Sequence, residues 1–161
     1  MAGMLQSVGK KILVTGATGF IGRHLCDHLL GSGFLVRALV RESSSTILEP
    51  NKNLEQLVGD LLDPSFLVEA CEGMDTIVHL AGLAHVTSTN QGQLRKINVE
   101  GTELLLAAAH EQKIERFVYM SSSLAAITNF HGIPATEYGR AKLAAEKLVL
   151  SRGKAKSMKC V

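Results

Sequence analysis

The chain has 161 residues, 46% of them apolar, which is enough for one domain with a substantial core. Its formal net charge of +2 is too small to point to nucleic acid or an anionic membrane as the main partner. Cys26, Cys71 and Cys160 form neither a disulfide framework nor a zinc spacing, residues 1–10 lack a signal-peptide core, and no apolar stretch reaches membrane-spanning length, so a cytoplasmic setting is expected.

Lys11 to Val14 lead from a charge into an apolar β-former run, and Gly16, Gly19 and Gly22 follow at three-residue spacing. An amphipathic pattern over 23–30 then predicts a helix. A strand, glycine turn and helix start in this order aim backbone N–H groups and the positive helix end at one point, where a pyrophosphate can sit. The spacing is T-G-x-x-G-x-x-G rather than the commoner G-x-G-x-x-G, and the competing reading is a tight turn without a ligand. Gly31-Ser32-Gly33 stops the helix, and 34–40 predicts a second strand ending at Arg41. An acidic side chain at that strand end would favour NAD, whereas Arg41 would pair with a 2′-phosphate, with Ser43 and Ser44 adding hydrogen bonds. NADP is therefore favoured over NAD, although arginine is also an ordinary strand-end charge.

Residues 54–58 predict a third strand running into Gly59-Asp60-Leu61, where Asp60 is either an acceptor for an adenine amino group or a turn residue. Asp63 and Pro64 are an N-cap and first-turn proline for a short helix to Glu72. Residues 76–80 predict a fourth strand that runs into Ala81-Gly82, small residues that let a flat ring or ribose approach the backbone. His79 reads as a satisfied histidine at the core edge, and with His85 it lacks metal-ligand spacing, so no metal site is expected. A long helix is predicted over 93–110. Within it Gly101 costs about 1 kcal/mol against alanine, which suggests close packing or tolerance, and Asn98 reads as solvated more readily than functional. A fifth strand over 116–120 ends in Ser121-Ser122-Ser123, a helix is predicted over 137–150, and the basic residues Arg152, Lys154, Lys156 and Lys159 read as a solvated loop. Strands that read as continuous apolar runs rather than alternating ones, and that take turns with helices, predict an α/β fold of Rossmann type: a doubly wound parallel sheet with helices on both faces and ligands at the strand C-termini.

Tyr138 and Lys142, four residues apart, share a helix face. A lysine ammonium beside a phenol stabilises the phenolate, which makes tyrosine useful for proton transfer near neutral pH. Ser123 at the fifth strand end is placed to bond the same substrate oxygen while hydride passes to or from a nicotinamide.

Taken together, these motifs resemble the extended short-chain dehydrogenase/reductase family, specifically its NAD-dependent epimerase/dehydratase group. The likeness covers residues 10–161: Thr15-Gly-Ala-Thr-Gly-Phe-Ile-Gly22 for the nucleotide turn, Gly59-Asp-Leu61 for the adenine side, His79-Leu-Ala-Gly82 for the cofactor lining, Asn98-Val-Glu-Gly-Thr102 for the central helix, and Ser121-Ser-Ser123 with Tyr138-x-x-x-Lys142 for the catalytic pair of elements. The resemblance implies cofactor contacts at Gly16, Thr18, Gly19, Phe20, Ile21, Gly22, Arg41, Asp60, Leu61, Leu80, Ala81, Gly82, Tyr138 and Lys142. It implies catalytic roles for Ser123 and Tyr138 at the substrate oxygen, for Lys142 on the nicotinamide ribose, and for Asn98 in support. It also implies a homodimer through the helices over 93–110 and 137–150, although their apolar faces equally suit packing on the sheet.

Two departures accompany the likeness. Leu124-Ala-Ala-Ile127 stands where relatives often have Val-Tyr-Gly, which leaves the substrate-side loop open. Met158 to Val161 reads as the opening of a sixth strand, so the chain is expected to be an NAD(P)-binding domain over 1–161 without the C-terminal substrate region. The leading functional expectation is an epimerase, dehydratase or ketoreductase acting on a nucleotide sugar. The alternatives are an NADPH-dependent reductase of a hydrophobic ketone and a catalytically silent NAD(P)-binding fragment or interaction module.

Overall fold

The computed structural model describes residues 10–42, 48–84, 91–154 and 158–161, without the side chains of Gln91 and Lys154. In chain order they form β1 (Lys11–Thr15), α1 (Phe20–Gly31), β2 (Leu35–Val40), β3 (Leu54–Val58), α2 (Pro64–Cys71) and β4 (Thr76–His79). There follow α3 (Gln91–Arg95), a π-helical turn (Lys96–Glu100), α4 (Gly101–Glu111), β5 (Arg116–Tyr119), α5 (Ser123–Ala126), α6 (Glu137–Lys154) and β6 (Lys159–Cys160). The strands pair in the order β3-β2-β1-β4-β5-β6, every pair parallel. The sequence therefore told the sheet, its sixth strand and its parallel sense correctly.

Alternation along each strand splits the core into two layers. Leu13, Leu39, Ile77, Phe117 and Tyr119 point to one face, where α2, α4 and α6 cover them with Leu67, Cys71, Leu105, Leu106, Ala109, Ala145 and Val149. Ile12, Val14, Val36 and Ala38 point to the other, where α1 contributes Cys26 and Leu29. The apolar faces of α4 and α6 are thus spent on the sheet. A pairing of two copies would have to use their outer faces.

Local chemistry fixes the element ends. Asp63 caps α2 by accepting from the Phe66 N–H at 3.1 Å, with Pro64 in the first turn, an arrangement that contributes about 1 kcal/mol. Ser32 closes α1 through its N–H to the His28 and Leu29 carbonyls, and the Phe34 N–H reaches the Leu29 carbonyl.

Several expectations need correction. No helix stands between β2 and β3 among the described residues, so the strand–helix repeat is broken there. β3 and β5 are not uniformly buried: β5 alternates, with Phe117 and Tyr119 inside and Arg116 and Val118 outside. The long central helix starts at Gln91 and is interrupted by a π-helical turn that the apolar pattern did not reveal. Helix α6 continues to Lys154, so Arg152 lies on a helix rather than in a loop. No helix among the described residues is long and apolar enough to cross a membrane.

Candidate functional site

The glycine turn is built by close backbone approach. Gly16 has a φ of +70°, a region that favours glycine, and a Cβ there would stand 2.7 Å from the Ala81 nitrogen. A Cβ on Gly22 would stand 2.1 Å from the Gly16 carbonyl oxygen, so α1 can begin directly against the turn only without one. The Gly19 N–H donates to the Gly16 carbonyl at 3.0 Å and closes the loop.

A cleft of about 370 Å³ opens over this turn at the C-terminal ends of the strands. Gly16, Thr18, Gly19, Arg41, Asp60, Leu61, Leu80, Ala81 and Gly82 line it, nine of the positions expected to face a cofactor. Leu39, Leu83 and Ile97 complete its walls and had not been singled out. Leu39 and Leu83 stand at or just beyond strand ends, whereas Ile97, in the π-helical turn, carried no sequence signal. Of the other expected positions, Gly22, Tyr138 and Lys142 are not among its walls, nor are Phe20 and Ile21, which are exposed on the first turn of α1, where the Phe20 ring packs edge-on against His24. Ser43, Ser44 and His85 lie outside the described residues.

Asp60 satisfies its turn reading, since its Oδ1 accepts from the Leu62 N–H at 2.9 Å, and still borders the cleft. Arg41 is exposed beside it and makes no ion pair among the described residues. Gly101 is close packing rather than tolerance: a Cβ would lie 2.7 Å from Leu61 Cδ2.

The wall formed by Leu80 to Leu83 is held by side chains from two elements. The Ala81 N–H donates to Thr15 Oγ1 at 3.2 Å. Asn98, in the π-helical turn, is 2% exposed rather than solvated as the sequence suggested. Its Oδ1 accepts from the Leu83 N–H at 2.7 Å and its Nδ2 donates to the Leu83 carbonyl at 2.9 Å, a two-point clamp that uses up one side of the amide.

His79 links these braces. The Thr102 hydroxyl donates to the Asn98 carbonyl at 2.8 Å, so its oxygen accepts from His79 Nε2–H at 3.0 Å. His79 Nδ1 is then bare and accepts from the Thr15 hydroxyl at 2.6 Å. Every hydrogen in this chain has one place to go, and the ring must be neutral. Burial, followed by the nearby Lys142 ammonium, pushes the imidazole down to about 3. The satisfied histidine expected from sequence is thus a junction between β1, β4 and α4.

That junction has a pH signature. The folded-state value lies below the unfolded one near 6.5, so the unfolded chain takes the proton first. The stabilisation is complete above pH 6.5 and is lost as pH falls toward 3. Between pH 7 and pH 5 the His79 contribution to unfolding free energy is expected to drop by about 2 kcal/mol. Urea unfolding at both pH values checks this, and His79→Gln should flatten the difference.

Ser123 stands on α5 and Tyr138 and Lys142 on α6, two helices that pack together beyond the end of β5. Ser122 caps α5 by accepting from the Leu124 N–H, and Ser123 is its exposed first residue. Gly139 lets the two helices touch, because a Cβ there would stand 2.3 Å from the Leu124 carbonyl oxygen. This close approach brings the segment bearing Ser123 against the first turn of α6, which carries Tyr138. Lys142 is 5% exposed. Its Nζ donates to the Met120 carbonyl and sits 4.1 Å above the centre of the Tyr119 ring. Burial pulls the lysine down to about 8, partly opposed by the Glu146 carboxylate.

The sheet order, the glycine turn and the cleft across its strand ends define a Rossmann-type dinucleotide-binding domain. A family profile described as NAD dependent epimerase/dehydratase matches residues 12–161. The chain is 35% identical over 159 residues to a 3 beta-hydroxysteroid dehydrogenase/Delta 5-->4-isomerase of Mycobacterium tuberculosis, covering 88% of this chain and 42% of that protein. The solved structure of Pen from Bacillus thuringiensis matches with a TM-score of 0.84 and 29% identity, over 94% of this chain and 49% of that one. MoeE5, solved with UDP-glucuronic acid and NAD, matches at 0.75 and 34% identity, over 89% of this chain and 49% of that one. The chain belongs to the NAD dependent epimerase/dehydratase family. It spans about half the length of the relatives it matches.

Proposed function

We propose that this chain is the nucleotide-binding part of an NAD(P)-dependent oxidoreductase that moves hydride at a secondary alcohol or ketone carbon. The observation that carries the reading is the meeting of two features: a cleft over a glycine turn that leaves no room for a Cβ at Gly16 or Gly22, and a buried lysine four residues beyond Tyr138 at the next strand end. The dinucleotide, when bound, supplies or accepts the hydride. Gly16, Thr18 and Gly19 would hold its pyrophosphate, Asp60 and Leu61 its adenine side, and Leu80 to Gly82 its inner ribose. Lys142 would hold the nicotinamide ribose, and Tyr138 would exchange a proton with the substrate oxygen, to which Ser123 donates. Asn98 acts at one remove, by bracing Leu83.

Arg41 favours NADP, since it borders the cleft as an exposed guanidinium with no carboxylate partner among the described residues. For the substrate, the stretch between β5 and α6 supplies the relevant observation. Met120, Leu124, Ile127 and Ile133 are exposed there, and Phe130 is 99% exposed. Apolar side chains around Ser123 favour a hydrophobic ketone or alcohol, the class suggested by the name of the mycobacterial relative. A nucleotide sugar, the leading expectation from sequence, is the second reading and draws on the MoeE5 complex. A homodimer would use the outer faces of α4 and α6.

The test is NADPH and NADH oxidation by the full-length protein with a polycyclic ketone and with a nucleotide 4-ketosugar, repeated on Arg41→Ala. Faster turnover of the polycyclic ketone is expected. Loss of the 2′-phosphate contact is expected to weaken NADPH binding about tenfold or more and leave NADH unchanged. An NADH preference indifferent to Arg41 would remove the NADP assignment. Tight cofactor binding without turnover of either substrate would return the silent-module alternative.

A further inference from the structure

Helix α6 grips the end of β5 at three consecutive residues. The Tyr119 ring lies under the Lys142 ammonium, the Met120 carbonyl accepts from Lys142 Nζ, and the Ser121 hydroxyl donates to Glu146 Oε2 at 2.6 Å. Glu146 is four residues beyond Lys142 and eight beyond Tyr138, so the three side chains share one helix face. Two residues after Ser121 the chain reaches Ser123. The third of these grips therefore fixes the direction in which β5 delivers its serine.

The charge balance around Lys142 gives Glu146 a second task. From β4, His79 faces the ammonium but is neutral, because both ring nitrogens are committed and burial keeps the proton off. From β5, Tyr119 offers a ring face while burial, with Tyr138 and Glu146 nearby, pushes its phenol above the ordinary range. Its hydroxyl is also the one buried side-chain polar atom without a partner among the described residues, so it brings Lys142 no counter-charge. From α6, Tyr138 offers a hydroxyl and Glu146 a carboxyl group that acts on Lys142 as a negative charge. Glu146 is thus the anion that faces Lys142 among the described residues. It acts across space and through the Ser121 anchor, because Lys142 and Glu146 are not within ion-pair distance.

We propose that Glu146 is a positioning residue for this site, anchoring the end of β5 through Ser121 and supplying the negative charge that keeps Lys142 an ammonium. Burial pulls Lys142 toward neutrality, down to about 8, and Glu146 opposes that pull. Without the carboxylate the lysine would lose its proton within the neutral range. It would then not hold a ribose as a cation. The inference rests on the role given to Lys142 under the proposed function.

The decisive measurement is an NMR titration of the Lys142 side chain in the full-length protein, paired with NADPH and NADH fluorescence titrations from pH 6 to pH 10. Glu146→Gln is expected to lower the Lys142 midpoint by about 1 unit or more, and the alkaline loss of cofactor binding should move down with it. Glu146→Asp, which keeps the charge, should hold the midpoint near the wild-type value. Glu146→Met carries the same expectation as glutamine where the glutamine variant fails to fold. A Lys142 midpoint unchanged in the neutral variants, or lowered equally in Glu146→Asp, would overturn the proposal. Lys142→Met binding NADPH and NADH as tightly as wild type would instead overturn the role of Lys142, a separate failure that the NMR midpoint does not share.

Discussion

Replacing Tyr138 by phenylalanine is expected to slow hydride transfer by about 100- to 10,000-fold while leaving NAD(P)H binding nearly unchanged. The substitution removes one oxygen and keeps the ring, which is half-buried against the small cluster of Leu94, Val99 and Ala141. The fold should therefore be undisturbed, and the loss is chemical. Whatever substrate binds, the proton that leaves or joins its oxygen must come from a group that is polarised before the transition state forms. Under the proposed function Lys142, a buried cation, would supply that polarisation, and Ser123 can donate a hydrogen bond but has no comparable means of releasing a proton. Kinetics on the full-length enzyme should show kcat and kcat/KM falling together, the sign of an interaction made only in the transition state. A reduction of less than a few-fold would remove Tyr138 from the chemistry and leave the domain as a binding module.

The second large effect concerns stability. Gly22→Ala is expected to destabilise the fold by about 3 kcal/mol or more and to abolish cofactor binding. The added methyl would meet the Gly16 carbonyl oxygen at 2.1 Å and Ala17 Cα at 2.7 Å. Both are backbone atoms of the turn itself, so no side chain can swing aside, and α1 would have to lift away from β1. Gly31→Ala at the far end of the same helix is the matched control, because a Cβ there has nothing within 4 Å. It should be neutral or stabilising by up to about 1 kcal/mol. Urea unfolding of the two variants measures the contrast directly. A loss below about 1 kcal/mol for Gly22→Ala would mean that the turn yields, and that close packing of α1 is not what the glycine secures.

Much of this was readable in the chain because the signals were local. The run Ile12-Leu13-Val14 followed by spaced glycines, and Asp63 before Pro64, each dictate an element end through contacts within a few residues. The cleft position followed from topology, since parallel strands bring their C-terminal ends to one edge. What escaped depended on distant partners. Asn98 looked solvated because a helix-interior asparagine has no local use, yet Leu83 lies 15 residues away and takes both ends of its amide. His79 finds its partners 64 and 23 residues away. Leu39 and Ile97 became cleft walls only once the fold brought β2 and the π-helical turn into one cleft's lining. Glu146 was within reach, because continuing the Tyr138–Lys142 spacing by one more step lands on it. Its partner Ser121 was visible too, but only as part of a serine run.

The position of β1 has a kinetic consequence. It pairs with β2 early along the chain and with β4 only after the whole β2–β3–α2 segment has been threaded past. The contact between Gly16 and the Leu80–Ala81 backbone spans the same long loop. Contacts of such sequence span carry the closure entropy that slows assembly of parallel sheets. A nascent chain emerged only as far as β3 holds every glycine of the nucleotide turn but lacks the backbone that the turn closes against. The backbone against which the turn closes is therefore acquired late in synthesis, although the residues that build the turn come first.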